Sequence, residues 1–335
     1  MNISYRTKLL LRRILGITAA VLVIAVLVSV CGVLWLQRFV VYTDEGAKLM
    51  FDQPKKLPAG RLPQPPESPS VTIHYSDQPF REGLPQLSGY YIDPEDLMDD
   101  PEAVRLKLEQ LPAGTAVLLD VKGYRGYFYY STAVGRNTSS SYDIGKMDDL
   151  IRWLAGSELY VIARLSALRD FDLVWSDNSC GLRKNSGVLY YDEGRYGLGY
   201  WLDPTDDTVL RYLTQVLREL RELGFDEVVL QNFRFPDTEN LAFPGDRAEA
   251  LQEAAEELMT ACANENFTIS FASSTADYRL PEGRCRLYLE DIAPHEAQAA
   301  WDSANLEDKR LNLVFLAQDS DDRYRIENGI LLPLP

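Results

Sequence analysis

The run "GFDEVVLQNFRFP" at 224–236 breaks off an apolar stretch in Gln231, Asn232 and Arg234. Amides and a guanidinium at the end of a buried strand can hold a polar ligand. They cannot ionise as an acid, which is what hydrolysis needs. Acids stand at the ends of similar runs elsewhere: Asp120, followed by Lys122 and Tyr124, and Glu290 followed by Asp291. Two carboxyl groups about 5–10 Å apart, one donating a proton and one acting as nucleophile or base, can cleave a glycosidic bond. Asp120 with Glu290 is the pair on offer here. Arg164, with Arg169 and Asp170 just beyond it, closes another run. For Arg164 and Arg234, ligand contact competes with an ordinary ion pair to a neighbour such as Asp120.

Rings crowd the same regions. The connection 166–204 contains "VLYYDEGRYGLGYWLDP", with Tyr190, Tyr191, Tyr196, Tyr200, Trp201 and Asp203, and "YRGYFYY" (124–130) adds more. Flat apolar faces with polar edges stack on sugar rings. The competing reading is that they seal the connection onto the body of the fold. Histidines number only two, His74 and His295. That argues against a His-rich metal site or a Ser-His-Asp triad, and neither a metal nor a cofactor is expected.

These residues need elements to position them. Eight short apolar runs, rich in β-branched and aromatic residues, recur from residue 86 onward: 88–92, 115–121, 159–165, 226–232, 267–272, 285–291, 311–317 and 329–334. Helical patterns separate them. Asp203-Pro204 opens one over 205–223, Asp246 another over 247–263, and Asp100-Pro101 a third. Continuously apolar strands suit a parallel sheet covered by helices. Eight strands with crossovers predict an α/β fold, a (β/α)8 TIM-type barrel spanning 86–335, with chemistry at the strand C-termini. The connections after the fifth and seventh strands are too short for full helices, so the barrel is expected to be partly degenerate. A doubly wound sheet is the alternative, but no Gly-rich phosphate loop follows the first strand.

The chain has 335 residues and a net charge of −16. Residues 1–13 carry four basic residues and read as a cytoplasmic tail. Ile14–Leu36 lacks charge over 23 residues, long enough to span a bilayer core. The basic flank places the N-terminus in the cytoplasm and the rest outside it. A cleaved signal peptide is the rival, but its apolar core would be shorter. Residues 37–85 read as a juxtamembrane linker, with six prolines between 51 and 70 favouring an extended spacer. Beyond residue 13 there are 30 basic against 50 acidic residues, a surface that repels nucleic acid. Cys180, Cys262 and Cys285 are too few and too odd in number for a disulfide framework. Free thiols are the simpler reading, and Cys262–Cys285 is the one pairing to test.

The blocks "LLDVKGYRGYFYYST", "LYVIARLSALRDFDL", "YWLDP" and "LGFDEVVLQNFRFP", in that order, resemble the family described as "putative glycosyl hydrolase domain". The resemblance covers roughly residues 86–300. It implies a TIM barrel related to the α-amylase-type glycosidases, directed at carbohydrate and often attached to a bacterial cell envelope. In that family the fourth strand typically ends F-D-Y-x-R-F-P. Here Gln231 stands at the aspartate and Asn232 at the tyrosine. The family's fifth strand tends to end near an acid, whereas "ISFASST" has none. The resulting expectation is a membrane-anchored, extracytoplasmic barrel that binds polysaccharide or another glycan with its catalytic carboxylate lost. Its ligand contacts would be Lys122, Tyr124, Arg164, Asp170, Tyr200, Trp201, Asp203, Gln231, Asn232 and Arg234. The alternatives are an active hydrolase using the displaced carboxylates Asp120, Glu290 and Asp291, and a structural envelope protein that docks another protein.

Overall fold

The eight apolar runs become parallel strands: β1 Ser88–Tyr91, β2 Ala116–Lys122, β3 Tyr160–Ser166, β4 Glu227–Gln231, β5 Thr268–Ser273, β6 Leu287–Leu289, β7 Leu313–Leu316 and β8 Gly329–Pro333. The computed structural model describes residues 84–137, 142–194 and 197–335, together with the backbone of 40–43 and 46–49. Each strand pairs with the next, and β8 returns to β1 in the register Ile330–Ser88 to Pro333–Tyr91. The eight parallel strands therefore close into a barrel. Closure requires Gly89, because a Cβ there would lie 1.8 Å from the Ala116 carbonyl oxygen on β2. Residues 77–335 form one unit that contains the barrel. In the other unit, Val40–Thr43 and Gly46–Leu49 pair antiparallel. The expected membrane span at 14–36 and the proline-rich stretch at 51–70 lie outside the described residues. No helix among the described residues is long and apolar enough to cross a membrane.

The helices are α1 Pro94–Asp99, α2 Pro101–Leu108, α3 Ile144–Ala155, α4 Phe171–Ser176, α5 Asp207–Glu222, α6 Arg247–Cys262, α7 Ala297–Ser303 and α8 Lys309–Asn312. Aspartates start most of them. Asp93, Asp100, Asp143, Asp170, Asp206, Asp246 and Asp308 each accept a hydrogen bond from a first-turn backbone N–H. Such a cap contributes about 1 kcal/mol. The N-cap of α5 is Asp206, not Asp203 as expected. Asp203 Oδ1 instead accepts from Thr205 N and Oγ1 at 2.9 and 2.7 Å, a tight turn that delays the helix until Val209 and Leu213 face the barrel. The helix after β1 likewise comes in two pieces, since Asp93-Pro94 opens α1 before Asp100-Pro101 opens α2. Gly224, at φ +92°, ends α5 in a left-handed turn and feeds β4. The connection 274–286 after β5 has no helix, and that after β7 has only the single turn Asp322–Tyr324. Both match the shortness read from the sequence.

Outward residues such as Val117, Leu119, Val228 and Ile269 pack against the helices. Inward ones, including Leu118, Ile162, Val229, Tyr288, Val314 and Leu331, fill the barrel. At its N-terminal end sits a buried charge. Glu227 pairs with Arg286, both side chains being fully buried. Burying such a pair costs several kcal/mol per ion unless every group is satisfied. Here Tyr160, Ser270 and Tyr288 hydroxyls all donate to Glu227, and Arg286 also donates to the Leu311 and Pro85 carbonyls. Among the described residues, Cys180, Cys262 and Cys285 are free and buried, with no Cys262–Cys285 bridge.

Candidate functional site

Side chains on a strand alternate between faces. On β3 the inward set is Tyr160, Ile162 and Arg164; on β4 it is Glu227, Val229 and Gln231. On β2 it is Ala116, Leu118 and Asp120, and around β6 it is Arg286, Tyr288 and Glu290. The same parity that buries one charged layer at the bottom raises a second at the mouth: Asp120, Arg164, Gln231 and Glu290. Register places Asp120 directly beside Arg164.

These four side chains form one network. Arg164 Nε and Nη2 donate to Asp120 Oδ1 and Oδ2 at 2.5 and 3.0 Å, and Nη1 donates to Glu290 Oε1 at 2.7 Å. The other oxygen of Glu290 accepts from Gln231 Nε2 at 2.8 Å. All three ionic side chains are nearly buried, at 15%, 17% and 14% exposure for Arg164, Asp120 and Glu290. Burial works against the guanidinium charge, but the two carboxylates outweigh it and hold the Arg164 pKa above its ordinary value. Tyr91, ending β1, completes this rim. Burial pushes its hydroxyl pKa up, with Arg164 opposing and Asp93 reinforcing that shift. The residues just after Gln231 and Glu290 are both left-handed, Asn232 at φ +56° and Asp291 at φ +58°. Asn and Asp tolerate that conformation best among residues with a Cβ. Asn232 Nδ2 donates to Ser166 Oγ at 3.1 Å.

Chemically, the mouth holds two carboxylates, Asp120 and Glu290, bonded to one guanidinium. Both are engaged with that guanidinium, and Gln231 beside them cannot ionise. The arrangement presents amide, carboxylate and phenol groups to a ligand.

Several expected contacts lie elsewhere. Lys122 and Asp170 are 2% and 1% exposed and pair at 2.7 Å, out of a ligand's reach. Simple alternation would aim Lys122 inward with Asp120. A bulge shifts the register, however, so that Asp120 lies opposite Arg164 and Lys122 opposite Leu165. One extra residue turns Lys122 to the helix side, where it also donates to Ser166 O. Asp170 caps α4 and accepts from Tyr212 OH at 3.1 Å. Trp201, 1% exposed, cannot offer a face to a sugar. The guanidinium of Arg234 lies 5.0 Å from its ring centre and that of Arg169 5.8 Å, and its Nε1 donates to Asp192. Tyr124 lies 4.2 Å from the Arg169 guanidinium. Asp203 serves its turn. For Arg164, the ion-pair reading holds. Gln231 is in the mouth network, Asn232 is beside it, and Arg234 is on the exposed rim next to Trp201. Tyr200 and Asp291 remain accessible, and Tyr196 lies outside the described residues. Sequence reading missed Tyr91, although "SGYYI" is a strand end like the others, and it missed the pairing of Arg169 with Asp192 at 2.5 Å. Among the described residues, no three His, Cys, Asp or Glu side chains gather as a metal site.

A closed eight-stranded parallel barrel with polar chemistry at its strand C-termini is a TIM-type barrel. Residues 102–274 match the family described as "putative glycosyl hydrolase domain", and the chain belongs to that family. Glycosidases are among its structural neighbours. The α-galactosidase of Thermus thermophilus, solved with p-nitrophenyl α-D-galactopyranoside, superposes with a TM-score of 0.52 at 14% identity, covering 77% of this chain and 59% of that one. The α-galactosidase of Lactobacillus brevis gives 0.53 at 10% identity, covering 75% and 38%. The chain thus spans only part of either enzyme, and at such identities the likeness is one of fold. No curated protein matches the sequence.

Proposed function

We propose that the barrel mouth binds carbohydrate of the cell envelope and does not cleave it, and that the uncharged stretch at 14–36 anchors the barrel outside the membrane. One observation carries the binding reading. The two acids nearest a glycosidase arrangement share Arg164, while the strand-four position that bears an aspartate in the family pattern bears Gln231. A general acid must hold a proton at working pH. The oxygens of Asp120 and Glu290 are already taken up by Arg164 and Gln231, so the network suits hydrogen bonding to sugar hydroxyls better than proton transfer to a leaving oxygen. Losing that step removes about two to four orders of magnitude in rate.

The second reading is an active hydrolase, favoured by the proximity of Asp120 and Glu290. In it Arg164 would hold the nucleophile and Asp291, exposed on its left-handed turn, would act as the acid. The two separate on a polysaccharide panel incubated with the chain. Binding without release of reducing ends supports the first. Reducing ends that vanish in Glu290→Gln and Asp291→Asn variants establish the second, and neither binding nor turnover sinks both.

A further inference from the structure

The connection between β3 and α5 carries a row of rings on its surface. Trp175, 70% exposed, lies nearly parallel to Phe171 with ring centres 5.8 Å apart. Phe171 meets Tyr200 at 5.3 Å, and Tyr200 meets Tyr191 edge-on at 6.1 Å. Tyr191, at the far end, is 42% exposed. Single exposed apolar residues are ordinary, but four linked rings with an almost bare indole at one end are not.

Half of the row is tied to the body of the barrel. Phe171 and Trp175 both lie on α4, whose cap Asp170 is tied to Lys122 and Tyr212. Rings held this way lose little freedom when a ligand settles on them. The row adjoins the residues that follow β4. Tyr200 adjoins Trp201, and the ring of Trp201 is covered by Arg234 from the end of β4.

The chemistry of the row selects among occupants. Cations lie over two of its rings: the Arg125 guanidinium 5.4 Å from the ring centre of Phe171, and the Lys184 ammonium 4.3 Å from that of Tyr191. Asp192 and Glu193 follow Tyr191 directly. A bilayer, or a second copy of this chain, would ask for a continuous apolar patch. Exposed rings flanked by fixed charges instead match a polyhydroxyl chain, whose C–H faces stack while its hydroxyls meet charges.

We propose that Trp175, Phe171, Tyr200 and Tyr191 form a docking track for an extended glycan, beside the barrel mouth site. The proposal rests on the carbohydrate reading above and adds a requirement for several linked sugars.

The test titrates the full-length chain with neutral malto-, cello- and chito-oligosaccharides, from single sugars to octamers, by calorimetry and tryptophan fluorescence. Affinity in at least one series rises with length. Trp175→Ala, a change at an exposed position, weakens the octamer about tenfold and leaves the dimer unchanged, and Tyr191→Ala acts in the same direction. Binding without length dependence, or length dependence untouched in Trp175→Ala, overturns the track and leaves the mouth reading standing. Binding of none of these sugars overturns both. Self-association in sedimentation that Trp175→Ala abolishes assigns the row to a second copy and also overturns the track.

Discussion

Replacing Gln231 by glutamate probes the network most directly. In the native chain the Gln231 amide donates to Glu290 at 2.8 Å, a bond to a charged acceptor that contributes about 2 kcal/mol. Gln231→Glu removes the donor and brings a like charge to the same oxygen. Two unit charges at roughly 4 Å in an effective dielectric near 20 repel by about 4 kcal/mol. Arg164 and the residual solvent at Glu290 offset about half of that. The net loss is then about 4 kcal/mol at neutral pH, which for a domain of this size lowers the melting temperature by roughly 10 °C. Gln231→Met, which removes the donor without adding charge, costs about 2 kcal/mol and serves as the control. The sign with pH follows from proton uptake. The introduced carboxyl, facing Glu290, takes its proton at higher pH in the folded chain than in the unfolded one. Its deficit is therefore largest near neutrality and shrinks on acidification. Chemical denaturation of both variants at pH 7 and pH 5 measures the effect. If Gln231→Glu stays within about 0.5 kcal/mol of wild type at both pH values, Gln231 does not contact Glu290 and the picture of the mouth is wrong.

Lys122→Met leaves Asp170 buried and unpaired and destabilises the chain by about 3–5 kcal/mol. Glycan affinity per folded molecule stays unchanged, because Lys122 faces the helices; a weaker dissociation constant at full folding would return it to the ligand site. Alkaline conditions unfold the chain. Burial raises the Cys180 and Cys285 thiols from 9.0 to about 12, and burial first, then Asp170, raises Tyr212 above 10.0. Stability from these groups is present below pH 9 and is lost as pH rises from there toward 12. A melting temperature that stays flat from pH 8 to 11 would contradict it. The same thiols resist alkylation at pH 8 in the native chain and react once denaturant is added, as peptide-level mass spectrometry of Cys180, Cys262 and Cys285 reports.

Much of the architecture was legible in the sequence because its causes are local. β-branched and aromatic runs of strand length, aspartates before helical patterns, and Gly224 before β4 each act within a few residues. Eight such runs favoured a barrel over a doubly wound sheet and marked Asp120, Arg164, Gln231 and Glu290 as strand ends, but not the face each one takes. What each side chain touches was decided by tertiary structure. Arg164 and Glu290 stand 126 residues apart, and only barrel closure brings them within one guanidinium of each other. A one-residue bulge sends Lys122 outward, and only the folded connection after β3 shows Trp175 bare while Trp201 is covered. Propensity and period act along the chain, whereas pairing of charges and exposure of rings depend on distances that closure of the sheet sets.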